Sequence, residues 1–206
     1  MKFTCLQEFS ERLQYNMYVP SESFIISERQ MIMNTVIHPI PPVFDRNSKI
    51  LILGSFPSVK SREGHFFYHH PQNRFWKTLA GVLDVPVPDT IDEKKAFLLS
   101  HRIALWDVIA SCSIEGSSDS SIRDVVPNDL SVILSTADIR AIFCNGKTSW
   151  NYYRKYQEAV TGIPAVSLPS TSPANAAWSL EKLKGAWNVI LSLIHISEPT
   201  RPEPIS

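Results

Sequence analysis

The sequence predicts an α/β fold, a three-layer α/β/α sandwich built around a central four-stranded, mainly parallel sheet. Four short apolar runs are continuous rather than alternating, which is typical of strands buried on both faces of a parallel sheet. Between these runs, apolar residues recur three and four positions apart, as they do in helices that cover a sheet. Strands and helices that alternate along the chain indicate right-handed βαβ units.

The predicted strands are residues 49–53, 103–106, 139–144 and 163–168. In an open parallel sheet, ligands bind beyond the carboxyl ends of the strands. Those ends are rich in Gly, Pro, Ser and amide side chains, and they are residues 54–58, 107–109, 145–146 and 169–175. We therefore expect the functional site among these four segments.

Helical periodicity fills the intervals between the strands and follows the last strand. Residues 75–83 place apolar side chains on one face, and Pro71 suits the first helical position, which would put Asn73 in the first turn. Further helices are expected at 92–100 with a cap at Asp92, at 130–135 with a cap at Asp129, at 149–158 and at 180–190.

The two ends of the chain are expected to lie outside the domain. Residues 1–32 show little periodicity and are interpreted as an N-terminal extension, which leaves a domain at 33–190. The string LSLIHISEPTR, which begins at Leu191, resembles the translation of an adapter used in sequencing libraries. We therefore interpret residues 191–206 as an artefactual or disordered tail.

Composition limits the function classes. Of the 206 residues, 44% are apolar and 19% are charged, which is typical of a globular chain rather than a disordered one. Lys and Arg balance Asp and Glu at 20 each, so no global positive field points to nucleic acid, although a local basic groove stays open. No apolar run approaches the roughly 18 residues of a membrane span, and no secretory leader pattern occurs, so we expect an intracellular, cytoplasmic protein with no membrane partner.

Common metal and nucleotide motifs are not found in the sequence. Cys5, Cys112 and Cys144 are widely spaced without a CxxC pair, so we expect buried, reduced thiols rather than a metal site. Residues 54–58 match neither a P-loop nor a dinucleotide-binding glycine pattern. They are interpreted as the backbone-lined wall of a pocket or, alternatively, as a plain strand–helix turn.

The stretch GSFPSVKSREGHFFYHHPQNRFW, residues 54–76, places aromatic and histidine side chains directly after the first predicted strand. Three consecutive side chains, Phe66, Phe67 and Tyr68, are not expected all to point into a core. We predict that at least one lines a pocket and stacks on a flat ligand, the alternative being core packing. His70 suits a general acid or donor near neutral pH, and a structural histidine is equally compatible.

Four further polar features have two interpretations each. Asn73 holds a water or a base edge, or it makes a helix-start hydrogen bond. Asp107, at the carboxyl end of a strand, is a functional group or caps the next turn. Lys147 contacts a phosphate or is solvated. The loop 169–175 approaches a DNA backbone or minor groove, or forms turns without a function.

Longer motifs occur in order between about residues 38 and 190, and they are GSFPS at 54–58, HPQNRFW at 70–76, ALWDV at 104–108 and LPSTSPANA at 168–176. Together they resemble the motifs of the hypoxanthine-DNA glycosylases, a branch of the uracil-DNA glycosylase superfamily. Two of them are seven residues or longer, so the resemblance is more specific than any single motif. It implies a uracil-DNA glycosylase-like fold and an enzyme that removes hypoxanthine, the deaminated form of adenine, from DNA.

The resemblance also implies roles for individual residues. It assigns Asn73 to holding the attacking water and Tyr68 to stacking on the flipped base. Phe56 stands where the mismatch-specific uracil glycosylases carry an Asn that positions the water, which argues against uracil excision. The implied base pocket comprises Gly54, Ser55, Phe56, Pro57, Ser58, Tyr68, His70, Asp107 and Asn145. The implied minor-groove loop comprises Ser170, Thr171, Ser172, Pro173, Ala174 and Asn175.

The implied reaction needs no cofactor and no metal. Because no lysine stands out as a Schiff-base nucleophile, we expect a monofunctional glycosylase that leaves the strand intact. The expected partner is double-stranded DNA that contains deaminated bases, bound by a monomer that associates with the nucleoid when on DNA. Two alternatives stay open, namely a uracil or mismatch glycosylase of the same superfamily and a non-catalytic DNA- or nucleotide-binding α/β module.

Overall fold

The computed structural model describes residues 35–194. The predicted N-terminal extension and residues 195–206 of the predicted tail lie outside the described residues. The strands are β1 (Thr35–Ile37), β2 (Ile50–Gly54), β3 (Ile103–Asp107), β4 (Ile109–Ser113), β5 (Arg123–Pro127), β6 (Ala141–Asn145) and β7 (Ala165–Leu168).

A four-stranded parallel sheet forms the centre of the fold, in the strand order β3-β2-β6-β7. Each neighbouring pair in this sheet is parallel. Strand β2 lies inside the sheet and all of its residues are buried, which explains why its sequence is apolar without alternation. The predicted four-stranded parallel sheet is confirmed.

A second sheet, which the sequence did not predict, contains β1, β4 and β5 in the antiparallel order β1-β4-β5. Its strands lack a clear apolar pattern, since β4 reads IASCS and β5 reads RDVVP. The chain passes from the end of β3 at Asp107 almost directly into β4 at Ile109. Strand β4 therefore begins close to the predicted site.

Helices cover both faces of the parallel sheet, and they are α1 (Val59–Glu63), α2 (Phe75–Leu83), α3 (Ile91–Ser100), α4 (Ser131–Leu134), α5 (Lys147–Tyr156), α6 (Glu158–Thr161), α7 (Leu180–Trp187) and α8 (Leu191–Ile194). Ile50 and Ile52 of β2 belong to one buried cluster, together with residues of α2, α3 and α7. Leu51 and Leu53 belong to a second cluster, together with residues of α4 and α5. The alternation of β2 side chains between two cores produces the three layers.

The start of α3 differs from the predicted one. Thr90 caps this helix: its Oγ1 accepts from the N–H of Glu93 at 3.2 Å, and Glu93 Oε2 accepts from the N–H of Thr90 at 3.0 Å. The predicted cap at Asp92 is wrong, because Asp92 lies within the first turn, where its charge favours the helix dipole. Asp129 does accept a hydrogen bond from the N–H of Ser131, at 2.9 Å, although the N-cap position of α4 is Leu130.

The predicted helix start at Pro71 is also wrong. Helix α2 begins at Phe75 with Arg74 at its N-cap position, and Pro71 lies in a turn before it. Asn73 Oδ1 accepts from the N–H of Phe75 at 2.9 Å, which satisfies one of the free donors of the first helical turn. The helix-start hydrogen bond that the sequence left open is therefore present.

The end of the described chain packs on the core. Ile194 in α8 is 6% exposed and belongs to the same buried cluster as Trp187 and Ile190. The domain boundary expected after Ile190 falls just before this helical turn and stays a prediction.

Two smaller expectations concern the cysteines and the membrane. Cys112 and Cys144 are buried free thiols, as predicted, and burial raises the pKa of Cys112 to about 11 and that of Cys144 to about 12. Cys5 lies outside the described residues. Within residues 35–194, every helix is too short or too polar to cross a bilayer.

Candidate active site

A cavity of about 300 Å³ opens at the carboxyl edge of the parallel sheet, where ligands of such sheets bind. It brings together most of the predicted site residues, and these are Gly54, Ser55, Phe56, Pro57, Ser58, Tyr68, Asn73, Asp107, Asn145, Ser170, Ser172 and Ala174. Segments that are far apart in the sequence therefore meet around one space.

Some predicted residues do not line this cavity. His70 is not part of the lining, and its Nδ1 accepts a hydrogen bond from the N–H of Gln72 at 3.2 Å. In the predicted DNA-binding loop, Thr171 is fully buried and Pro173 is exposed. Asn175 donates from Nδ2 to the carbonyl of Ser170 at 2.9 Å and so supports the shape of the loop.

The prediction that at least one of Phe66, Phe67 and Tyr68 lines a pocket is met by Phe67 and Tyr68. Other lining residues were not predicted, namely Ser61, Ile114, Ser117, Ser118 and Asp119. The last four lie in the connection between β4 and β5, whose sequence IEGSSDSS carries no catalytic motif. The signal in the sequence that could have pointed to this segment as part of the site was its run of Gly and Ser after a strand. Without the second sheet, however, that run cannot be placed beside the cavity.

The consecutive aromatic residues form part of the core and part of the cavity wall. Phe66 and Phe67 are each 2% exposed, and Phe67 and Tyr68 line the cavity. Tyr68 has a left-handed backbone with φ 52°, and its ring stacks on Phe75 at 4.0 Å between centroids. A left-handed backbone is costly for a bulky residue and is found preferentially at functional sites.

The hydroxyl of Tyr68 is buried and makes no hydrogen bond of good geometry to the described residues. Burial raises its pKa far above the usual phenol range, the negative charge of Asp107 raises it further, and the nearby Asn145 side chain opposes the rise. The phenol is therefore neutral, and it supplies a polar O–H group to an otherwise aromatic part of the wall.

Asp107 is held by a histidine that the sequence did not indicate. Asp107 is 3% exposed, and its Oδ2 accepts a hydrogen bond from His38 Nε2 at 2.8 Å. His38 Nδ1 accepts from the N–H of Ile40 at 3.2 Å, so the ring proton must be on Nε2. The other carboxylate oxygen, Oδ1, packs so closely on Gly54 that a Cβ there would overlap it.

A chain of hydrogen bonds connects Asn73 to Asn145 through Thr171. The Thr171 hydroxyl donates to Asn73 Oδ1 at 3.0 Å and accepts from Asn145 Nδ2 at 2.9 Å. The Thr171 N–H donates to Asn145 Oδ1, also at 2.9 Å. Because Asn73 Oδ1 accepts from Phe75 as well, both of its lone pairs are occupied. The amide of Asn73 is fixed in one orientation, and its NH₂ group is the part left for the cavity.

Arg74 ties the loop after β7 to the segment that carries Asn73. Its backbone N–H donates to the carbonyl of Thr171 at 3.1 Å. Its guanidinium donates to four loop carbonyls, which belong to Thr171, Ser172, Asn175 and Trp178. A planar group with five fixed donors suits this task. The predicted DNA-binding loop is therefore shaped in advance by the neighbour of Asn73.

Asp119 lies at the mouth of the cavity, on the single turn Asp119–Ser121 between β4 and β5. The residue is exposed, yet protein atoms around the carboxylate displace water and raise its pKa. Hydrogen bonds from Ser55, at 3.2 Å to Oδ1, and from Thr148 oppose that rise, and the charge of Asp107 adds to it. The cavity thus contains two carboxylates in different settings, one buried beside a histidine and one at the mouth beside hydroxyl groups.

A parallel α/β sandwich whose cavity lies at the carboxyl edge of the sheet has the usual place of a ligand site in this class of fold. Aromatic, amide and carboxylate side chains line that cavity. The chain belongs to the uracil DNA glycosylase superfamily, whose family model matches residues 41–191. The resemblance inferred from the sequence motifs is confirmed.

Individual relatives agree with this assignment. The chain is 36% identical over 152 residues to a Hypoxanthine DNA glycosylase of Methanosarcina acetivorans, covering 73% of this chain and 94% of the relative. It is 34% identical over 149 residues to a Hypoxanthine DNA glycosylase of Methanosarcina barkeri, covering 71% and 92%. The chain is also similar to a solved structure, the solution NMR structure of a Methanosarcina acetivorans protein named as a candidate uracil DNA glycosylase. The TM-score is 0.64 and the sequence identity is 31%, and the match covers 76% of this chain and 99% of that protein.

Proposed function

We propose that this chain is a monofunctional DNA glycosylase that hydrolyses the N-glycosidic bond of deoxyinosine in double-stranded DNA and releases hypoxanthine. The two relatives described above carry the name of that activity, and the family is one of DNA glycosylases. Release of the deaminated base initiates base excision repair. We expect the enzyme to act as an intracellular monomer.

The observation that carries the proposal is the fixed amide of Asn73. Its oxygen is occupied by Phe75 and Thr171, so its NH₂ group is the part that can act on a ligand. An N–H that donates to a water oxygen leaves the second lone pair of that water free. A water held in this way is ready to add to C1′ of the deoxyribose.

The expected positions of the base and its sugar determine how the reaction proceeds. The flipped base enters the cavity and its sugar stays at the mouth, at a cost of a few kcal/mol that is lowest for a mismatched base. The bond between C1′ and N9 breaks, its electron pair passes to the base, and the sugar becomes oxocarbenium-like. We expect backbone N–H groups of the turn 54–58 and the Tyr68 hydroxyl, which line the cavity, to stabilise negative charge on the departing base.

Phe56 favours hypoxanthine over uracil excision of the usual kind. It is 8% exposed and packs edge-to-face on His38 at 5.8 Å between ring centroids. An apolar ring in this position cannot hydrogen-bond a water, so we assign that task to Asn73, which lines the same cavity. The same ring supplies flat apolar surface to a purine.

The expected product is an abasic site in an intact strand. The cavity lining among the described residues includes no lysine amine that would form a Schiff base with C1′. Hydrolysis by water is then the route that the side chains support. A bifunctional enzyme would instead cleave the strand as part of the reaction.

The test is single-turnover base release from matched duplexes that carry one deoxyinosine, deoxyxanthosine, deoxyuridine or deoxyadenosine. We expect the fastest release from deoxyinosine, none from deoxyadenosine, and a strand that breaks only after alkali or heat. Faster release from deoxyuridine would move the chain to the uracil branch. Tight binding without release would indicate a binding module, and a nick without alkali would contradict the monofunctional mechanism.

A further inference from the structure

We infer that Asp119 is a catalytic residue, the acceptor of the proton that the attacking water loses as it adds to C1′. This inference rests on the proposed hydrolysis and deepens it. It assigns a proton acceptor to a reaction in which Asn73 holds the water but is not a base.

Proton balance requires such a group. The water oxygen forms a bond to C1′, the bond from C1′ to N9 breaks, and its electron pair leaves with the base. One O–H bond of the water breaks and its proton passes to a carboxylate, from which it returns to a ring nitrogen of the released base. Asn73 cannot take this proton, because both lone pairs of its Oδ1 already accept hydrogen bonds.

Depth in the cavity distinguishes the two carboxylates that line it. Asp107 is 3% exposed, packs against Gly54 and accepts from His38, so it lies at the floor with the base. Asp119 is exposed at the mouth. The sugar remains joined to the strand and must also stay at the mouth. Asp119 is therefore the carboxylate placed beside C1′ and its water.

The surroundings of Asp119 keep its negative charge available. Acidic groups that interact with Asp119 are Asp107, Tyr68, Cys112 and Tyr152. The cations in its surroundings are Arg123, whose Nη1 donates to the carbonyls of Ser120 and Ile122, and Arg62, which acts on Cys112. None of the ion pairs among residues 35–194 includes Asp119. An unpaired carboxylate also stabilises the positive charge that develops on the sugar. Loss of hydration raises its pKa and so makes it a stronger proton acceptor than an ordinary aspartate.

The first experiment compares Asp119→Asn with Asp124→Asn, a control in β5 whose exposed carboxylate does not line the cavity. We expect the single-turnover rate on deoxyinosine duplex to fall at least about 100-fold in Asp119→Asn and to stay unchanged in the control. Affinity for a duplex carrying 2′-fluoro-deoxyinosine, which resists hydrolysis, should stay within about threefold of wild type.

The pH profile separates proton transfer from a structural role. In wild type the rate should fall at low pH as Asp119 becomes protonated, at a pH above the ordinary aspartate range. Asp119→Asn should lack this acid limb. Ser55→Ala removes a hydrogen bond that lowers the pKa of Asp119, so its acid limb should move to higher pH.

The pH dependence of the melting temperature independently tests the direction of the Asp119 pKa shift. The pKa of Asp119 is higher in the folded protein than in the unfolded chain. Its contribution to the free energy of unfolding is therefore fully present at a pH below the unfolded-state pKa, and it is lost as the pH rises through the folded-state pKa. Asp119→Asn should therefore raise the melting temperature at neutral pH, and the difference should vanish in acid. A residue kept for structure would lower the melting temperature instead.

The outcomes distinguish this inference from the proposed function. A rate for Asp119→Asn within about threefold of wild type would overturn the inference alone. No release by wild type from any duplex would overturn the proposed function. If Asp119→Asn fails to fold, Ser55→Ala decides, because an unshifted acid limb in that variant contradicts proton transfer to Asp119.

Discussion

At the scale of single residues, the hydroxyl group of Thr171 connects two side chains of the candidate site. It is fully buried, yet it holds the side chains of Asn73 and Asn145 together across the cavity. A single buried hydroxyl thus helps to fix the orientation of the Asn73 amide, with its oxygen occupied and its NH₂ group left for the cavity. When a side chain positions a reacting group, even a small displacement of that side chain lowers the rate by a large factor.

Thr171→Val should therefore damage catalysis more than binding. The methyl group that replaces the hydroxyl leaves Asn73 Oδ1 with only the N–H of Phe75 as a donor and removes the Thr171 acceptor of Asn145 Nδ2. We therefore expect a rate about 10- to 100-fold lower and a free energy of unfolding lower by about 1–3 kcal/mol. Thr171→Ser keeps the hydroxyl and serves as the matched control. Equal single-turnover rates for the Val and Ser variants would show that the bridge does not orient Asn73.

Gly54 is a second residue at which one atom matters. A Cβ there would overlap Asp107 Oδ1 and come within 3.0 Å of the Tyr68 hydroxyl. We expect Gly54→Ala to lose base release and about 1–3 kcal/mol of stability, because neither neighbour can move within the packed floor.

The matched control for Gly54→Ala is Gly185→Ala in helix α7. A Cβ at Gly185 meets no other atom within 4 Å, so alanine should stabilise the protein by about 0.5–1 kcal/mol. Urea unfolding and base release are measured for both variants. Unfolding midpoints that move in the same direction would contradict the close packing described for Gly54.

At the scale of elements, the loop after β7 depends on one side chain. Arg74 donates to four of its carbonyls, and no ammonium group reproduces that geometry. These hydrogen bonds hold the loop in one shape, and for the DNA-binding role proposed above such a loop would lose less entropy on binding.

Arg74→Ala should loosen the loop and weaken binding and catalysis together, by about tenfold or more in each, and Arg74→Lys should restore little. Lys77→Ala, which removes an exposed cation from the same helix, controls for the loss of charge. The measurements are affinity for a deoxyinosine duplex over a range of salt and the single-turnover rate. If Arg74→Lys matches wild type, the charge rather than the hydrogen-bond geometry of Arg74 is what matters.

Elements with a strong local pattern were predictable from the sequence, and elements fixed by tertiary pairing were not. Strand β2 and helix α2 carry continuous or periodic apolar residues, so their positions were close to the predicted ones. Strands β4 and β5 are short and polar and are held by pairing with each other, which no local pattern records.

The same reason explains which residues of the candidate site were predictable from the sequence. Asn73 and Asp107 lie in recognisable motifs. Asp119 follows β4 and His38 follows β1, and both strands belong to the second sheet, which the sequence did not predict.

At the scale of the whole molecule, the extent of the domain is testable by truncation. We expect residues 33–194 to unfold at the same temperature as the full chain. Further removal of residues 191–194 should cost about 1–3 kcal/mol, because Ile194 fills part of the core. Equal melting temperatures for 33–190 and 33–194 would instead place the end of the domain at Ile190, as the sequence predicts.

The proposed mechanism requires the cavity to take up a base while the fixed amide of Asn73 holds a water at C1′. The most direct test is single-turnover release of hypoxanthine from a deoxyinosine duplex by wild type and by Asn73→Ala, with binding measured in parallel. We predict release by wild type and a rate at least about 100-fold lower in Asn73→Ala, with DNA affinity retained. Hypoxanthine release that is unchanged in Asn73→Ala would contradict the mechanism.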